Sequence, residues 1–245
     1  MVIPSFGRIV CLIIFYLSKV PFVKNFCIQV FTLTLTSQGT KIDLAGAYAH
    51  VPLPIFKEVI FMIRLATEAD LPAILEIYGP YVLNTAISFE YTIPTLEEFT
   101  ERFRTITAQF PWLVWEEAGK ILGYAYGSLP FGRAAYRWVA SSSIYLAPDA
   151  RGKGIGTKLY AALEKLLKAQ GYRKTYAIIT SDNPGSLRFH EKCGFRFVAE
   201  FPECGIKFGK LYSVIWMEKV LNSDGIPNIF PFPLNQVVNI TSFLL

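Results

Sequence analysis

From Tyr145 to Tyr160 the chain reads Tyr-Leu-Ala-Pro-Asp-Ala-Arg-Gly-Lys-Gly-Ile-Gly-Thr-Lys-Leu-Tyr, an extended apolar run that ends in a glycine-rich turn and opens a helix. Gly152, Gly154 and Gly156 have no Cβ, so successive backbone N–H groups at the helix start can converge on an anion, with the positive end of the helix dipole behind them. The chemistry is that of a phosphate cradle. Spacing excludes two common owners. A triphosphate loop beginning at Gly152 needs glycine where Thr157 stands, and a dinucleotide fingerprint needs it at Thr157 or Leu159. What remains is Arg151-x-x-Gly154-x-Gly156.

Other chemistry-bearing residues are few. His50 and His190 are the only histidines, and Cys11, Cys27, Cys193 and Cys204 form no C-x-x-C pair, so the sequence offers no metal-ligand spacing and no metal is expected. Unpaired cysteines fit a reducing, cytoplasmic compartment. The net charge of +5 over 245 residues is modest and not gathered into a basic run, which argues against nucleic acid as a partner and suits an anionic ligand.

The elements that must position the cradle lie between residues 62 and 221. Thr67-Glu-Ala-Asp70 and Thr95-Leu-Glu-Glu98 read as capping boxes. The first opens a helix with Leu71, Ile74, Leu75 and Tyr78 on one face, and the second a helix with Leu96, Phe99, Phe103 and Ile106 as its buried stripe. Trp112 to Glu116, Ile121 to Ser128 and Tyr136 to Leu146 read as an antiparallel meander. A helix from Gly154 to Ala169 buries Ile155, Leu159, Leu163 and Leu166. Thr175 to Thr180 is the next strand, Asn183-Pro184 caps a short helix through Lys192, and Phe195 to Phe201 with Leu211 to Val220 close the sheet.

The flanks read differently. Residues 1–61 are an apolar N-terminal extension, and Met62 is a candidate initiator ahead of which the extension need not be native. Its run Ile9 to Leu17 is shorter than the roughly 18 to 20 residues a membrane span needs and has the length of a signal-peptide core, but the small-residue sites Ala45-Gly-Ala47 and Ala47-Tyr-Ala49 lie far beyond the usual cleavage distance, so neither a cleavable signal nor a membrane partner is expected. Residues 222–245, rich in proline and apolar side chains, show no period and are expected to be a C-terminal appendage.

The order of helices, strands, Arg151-x-x-Gly-x-Gly, Asn183 and Cys193-Gly-Phe195 resembles the GCN5-related N-acetyltransferase (GNAT) superfamily. More narrowly, it is similar to the phosphinothricin and methionine-sulfoximine acetyltransferase branch. Asn84-Thr-Ala-Ile-Ser-Phe89, Phe110-Pro-Trp-Leu-Val114, Arg133-Ala-Ala-Tyr136, Leu187-Arg-Phe-His-Glu191 and Gly205-Ile-Lys-Phe-Gly209 carry the likeness. The resemblance implies an α/β (α+β) GNAT fold with a mixed central sheet, an antiparallel N-terminal meander and flanking helices. It implies acetyl-CoA as co-substrate, held by Ile144, Tyr145 and Leu146 along its pantetheine arm and by Arg151, Gly152, Lys153, Gly154, Ile155, Gly156 and Thr157 at its pyrophosphate. Asn183 and Lys192 would follow farther along. Arg133, Ala134, Ala135 and Tyr136 would line the acceptor site, where Arg133 or Arg137 could pair a substrate carboxylate. His190 would stand where the wider superfamily has a tyrosine acid, and a homodimer is implied.

Three departures bear on activity. The branch carries a glutamate where this chain has Ser141, and a tryptophan and an aspartate where it has Leu211 and Ser213. Two readings follow. In the first, the chain is an enzyme that brings acetyl-CoA and the primary amine of a small amino-acid-like substrate together for direct attack, with Ser141 and His190 as its catalytic residues. In the second, it is a catalytically impaired acyl-CoA-binding module.

Overall fold

The computed structural model describes residues 9–11, 31–36, 39–43, 61–223 and 225–244. The chain divides into two units, Met1–Glu58 and Val59–Leu245. In the first, β1 (Ile9–Cys11), β2 (Phe31–Thr36) and β3 (Gly39–Asp43) form an antiparallel sheet in that order. Beyond Cys11 the apolar run to Leu17 lies outside the described residues, as do Cys27 and His50. No helix among the described residues is long and apolar enough to cross a membrane.

The second unit is built on a seven-stranded sheet. Its strands are β4 (Phe61–Leu65), β5 (Trp112–Glu117), β6 (Lys120–Ser128), β7 (Val139–Leu146), β8 (Lys174–Thr180), β9 (Arg196–Lys207) and β10 (Lys210–Val220). Their order is β4-β5-β6-β7-β8-β10-β9. β4 to β7 form the expected antiparallel meander, β7 and β8 are parallel, and the β9–β10 hairpin closes the sheet with β10 beside β8.

Four helices cover the sheet: α1 (Leu71–Asn84), α2 (Leu96–Thr107), α3 (Ile155–Ala169) and α4 (Pro184–Lys192). Alternation along β7 assigns them to faces. Tyr145 packs edge-on against Tyr78 and Tyr81 of α1, whereas its neighbours Ile144 and Leu146 approach Gly156 of α3. Phe99 and Phe103 of α2 pack on Trp112, which stacks on Tyr126 at 4.2 Å, so aromatic rings fill the α1–α2 side. The α3 side is aliphatic, with Leu159, Leu163 and Leu166 fully buried.

Both capping boxes form. Thr95 N donates to Glu98 Oε2 at 2.8 Å while Glu98 N donates to Thr95 Oγ1 at 3.2 Å. Thr67 N donates to Asp70 Oδ2 at 2.7 Å, and Arg64 of β4 grips both oxygens of the same carboxylate at 2.7 Å. That fork holds the Asp70 carboxyl down to about 2 and ties the first strand to the first helix.

Three sequence expectations are corrected. Leu96 is 49% exposed rather than part of the α2 stripe, because it stands in the first turn beside the cap. Tyr136 is not in β7: Ala134–Tyr136 form a 3-10 turn, with Arg137 N donating to Ala134 O, and the strand starts at Val139. The tail is not an appendage. Phe232 N donates to Gln170 O and Gln170 Nε2 donates back to Phe232 O at 2.8 Å, while Leu234 is buried with Val237, Ile240 and Phe243 against the core. Its bonds run to glutamine side chains and helix-end carbonyls, so no sequence period announces them.

Candidate active site

The parallel ladder between β7 and β8 is short, running from Val139 opposite Lys174 to Ser141 opposite Tyr176. β8 continues beside β10 as far as Thr180 opposite Val214, but β7 turns away after Ser141. A cavity of about 390 Å³ opens in the resulting wedge. Ile144 and Leu146 line one wall, Ala177 and Ile179 the other, and Asn183 at the cap of α4 and His190 within it close the side. Its mouth is Arg151 and Gly152, beside the N-terminus of α3.

The glycines of the mouth are there for conformation and for space. Gly152 and Gly154 have φ of +75° and +78°, the left-handed region that costs an L-residue about 1–2 kcal/mol. Gly154 is the N-cap of α3 and supplies no side chain, so the first amides of the helix have none from their own cap. A Cβ on Gly156 would lie 3.3 Å from Phe189 and 3.5 Å from Ile144, filling the wedge. A narrow slot leading to a helix N-terminus fits an extended ligand with an anionic group, as acetyl-CoA is.

Tyr81 of α1 fixes the outer end of β7. Its hydroxyl donates to Leu146 O at 2.6 Å, accepts from Leu146 N at 3.3 Å and accepts from Arg151 Nη2 at 2.9 Å. One phenol therefore joins the splayed strand to the arginine at the mouth. Sequence reasoning missed Tyr81, which reads as another position of an apolar helix stripe.

At the inner end, His190 is 3% exposed and both ring nitrogens are bonded. Nδ1 lies 2.8 Å from Ser186 O, which can only accept, so Nδ1 carries the proton. Nε2 then accepts from the Tyr160 hydroxyl at 2.8 Å. Burial lowers the histidine pKa, with the Ser186 carbonyl acting the other way, so the ring is neutral at pH 7. Burial also raises the Tyr160 phenol far above its ordinary value. Tyr160 Oη lies 2.9 Å from Ser142 Oγ, which accepts from Thr175 Oγ1 at 3.1 Å.

The wedge gathers Ile144, Tyr145, Leu146, Arg151, Gly152, Gly156, Asn183 and His190 from the expected site. Asn183 caps α4, its Oδ1 accepting from Ser186 N at 3.1 Å. Other expected residues lie off the cavity wall. Lys153, Gly154 and Thr157 are exposed around the turn, Ile155 is buried beneath it, and Lys192 is exposed at the far end of α4. Arg133, Ala134, Ala135 and Tyr136 are exposed on the β6–β7 connection. Ser141 is buried with its Oγ 3.4 Å from Tyr176 O, and the serines that line the wedge are Ser142 and Ser143. Among the described residues no cluster of histidine, cysteine, aspartate or glutamate could hold a metal ion.

This wedge can be set beside known proteins. The family model described as an acetyltransferase (GNAT) domain matches residues 63–216. The chain belongs to the GNAT acetyltransferases. It is 36% identical over 163 residues to a phosphinothricin N-acetyltransferase of Alcaligenes faecalis, covering 66% of this chain and 83% of the relative. It is 39% identical over 166 residues to an L-methionine sulfoximine/L-methionine sulfone acetyltransferase of Pseudomonas aeruginosa, covering 66% of this chain and 94% of the relative. A GNAT superfamily phosphinothricin acetyltransferase from Sinorhizobium meliloti, solved in complex with AcCoA, superposes with a TM-score of 0.65 at 36% identity, covering 69% of this chain and 95% of that one. The chain is thus an acetyl-CoA-dependent N-acetyltransferase of the GNAT fold, in its phosphinothricin and methionine-sulfoximine branch.

Proposed function

We propose that this GNAT enzyme transfers acetyl from acetyl-CoA to the primary amine of a small amino-acid-like substrate, of the phosphinothricin or methionine-sulfoximine type, by direct attack in a ternary complex. The wedge between β7 and β8 carries the reading: it runs from the α3 N-terminus, suited to a pyrophosphate, inward to Ser142 and His190. Ile144 and Leu146 would hold the pantetheine arm through their backbones, as an added strand is held. The relatives' amino-acid substrates support the acceptor class. An exposed Arg133 near Tyr136 is a candidate partner for the acceptor's carboxylate.

Side-by-side binding can supply roughly 7–11 kcal/mol through orientation, while a general base adds about 10²- to 10⁴-fold. Losing the carboxylate at Ser141 therefore slows such an enzyme without silencing it. The same serine favours the second reading, an acyl-CoA-binding module without turnover. A panel of methionine sulfoximine, phosphinothricin, common amino acids and carboxylate-free amines, scored for thiol release from acetyl-CoA, separates the two. Release with the amino-acid analogues and a kcat/KM at least tenfold lower for carboxylate-free amines is expected. Tight acetyl-CoA binding with no release from any member would establish the module instead.

The same reading places the protein in the cytoplasm as a homodimer. Phe197 and Phe201 of β9, with Ile206, Phe208 and Leu211 at the hairpin end, are 47–60% exposed, an apolar surface of the kind that pairs. Sedimentation equilibrium is expected to give twice the chain mass of 27.6 kDa. A single-chain mass at micromolar concentration would contradict it.

A further inference from the structure

We propose that Ser142, Tyr160 and His190 form the proton path of acetyl transfer, with the Ser142 hydroxyl meeting the acceptor amine, Tyr160 relaying, and His190 storing the proton. The inference rests on the acetyl-transfer reading above and assigns the work that a carboxylate at Ser141 would have done.

Geometry carries it. Ser142 stands at the point where β7 leaves β8, lines the wedge and meets Tyr160 of α3; the Oγ atoms of Ser141 and Ser142 both lie 3.4 Å from Tyr176 O, but Ser141 is off the cavity wall. From Ser142 Oγ to Tyr160 Oη is 2.9 Å, and from Tyr160 Oη to His190 Nε2 is 2.8 Å. With one proton, Tyr160 donates either to Ser142 Oγ or to His190 Nε2, and the line carries a proton when Tyr160 turns to His190 and the Ser142 hydroxyl turns to Tyr160 from Tyr176 O, which it meets at 3.4 Å. Each atom comes from a different element, β7, α3 and α4. Because the Ser186 carbonyl holds the proton on Nδ1, Nε2 is the free base at the end of the line.

As the amine nitrogen bonds to the thioester carbonyl carbon, its proton passes to Ser142 Oγ, the Ser142 proton to Tyr160 Oη, and the Tyr160 proton to His190 Nε2. The carbon–sulfur bond breaks, and the imidazolium proton returns along the same line to the thiolate. Atoms and charge balance with no further reactant. Tyr160 and His190 act through Ser142 and are positioning residues.

Few other ionisable groups face the pair. On α3, Glu164 lies one turn from Tyr160 and accepts from Lys219 of β10 at 2.6 Å; Lys219 also donates to Cys193 O at the end of α4. The Cys193 thiol is pushed up by burial. Phe189 and Phe195 pack edge-on against the imidazole. His190 is thus the group of this cluster bonded directly to Tyr160 and open to a proton.

The test uses Ser142→Ala and Tyr160→Phe in the full chain, with Lys168→Ala on the exposed face of α3 as control. With acetyl-CoA and methionine sulfoximine, both variants are expected to keep KM and coenzyme A affinity within about threefold and to lose about 10²-fold in kcat at pH 7. Their rates should then climb about tenfold per pH unit toward the parent as the amine deprotonates unaided. Without reference to turnover, an NMR titration of the imidazoles should show the His190 pKa rising in Tyr160→Phe, because a donor to Nε2 favours the neutral ring. With two histidines in the chain, His190→Gln assigns the signal. Parental kcat and pH profile in both variants would overturn the path, as would an equal loss at every pH, which marks a structural role. Absence of turnover in the parent sinks the acetyl-transfer reading and the path with it, a result distinct from a parent that works beside variants that match it.

Discussion

Gly154→Val combined with Gly156→Val is expected to abolish coenzyme A binding, weakening it by at least about 10²-fold, while the domain stays folded. Two effects add. At Gly154 the φ of +78° strains any branched side chain, so the turn relaxes and the first amides of α3 lose their convergence on the anion. At Gly156 the new Cβ already sits 3.3 Å from Phe189, and the valine methyls then occupy the slot between α3 and β7. The helix behind the turn keeps Leu159, Leu163 and Leu166 in the core, which is why folding survives. Calorimetry with coenzyme A, alongside circular dichroism, reads both parts. A folded double variant with parental affinity would remove the cradle from the site.

Lys207→Met should give the largest loss of stability, about 3 kcal/mol, or roughly 6–12 °C in Tm for a domain of this size. Lys207 is 1% exposed, and its Nζ donates to Val82 O at 2.6 Å, Thr85 O at 2.8 Å and Ser88 O at 2.6 Å. Two of those carbonyls belong to the C-terminal end of α1, where the helix dipole favours a cation. The third, Ser88 O, directly follows Ile87, which lines the cavity. Methionine fills the volume but leaves three buried acceptors without a donor. Arginine should recover part of the loss, since its planar fork cannot meet three converging carbonyls as an ammonium does. Thermal melts of the two variants check this; a Met variant melting within about 2 °C of the parent would mean that water replaces the lysine without cost.

Local signals carried much of the fold. Thr67 with Asp70 and Thr95 with Glu98 announced two helix starts through chemistry contained in four residues, and both boxes formed. Arg151 to Gly156 announced the cradle for the same reason. Features that depend on distant partners were silent. Where β7 parts from β8 is set by the tertiary path of two strands, and alternation alone does not mark it. Tyr81 meets Leu146 across 65 positions and Tyr160 meets His190 across 30, yet each reads as one more apolar position of its helix. The one-residue register between Ser141 and Ser142 decides which hydroxyl enters the wedge, and only the strand's pleat settles it.

Acetyl transfer from acetyl-CoA to an amino-acid amine within the β7–β8 wedge stands or falls on its product. Mass spectrometry of methionine sulfoximine incubated with acetyl-CoA and the full chain, beside the Gly154→Val and Gly156→Val double variant, tests it most directly. N-acetylated product from the parent and none from the variant is the expected result. No product from a parent that binds acetyl-CoA, with this acceptor and with phosphinothricin, would contradict it.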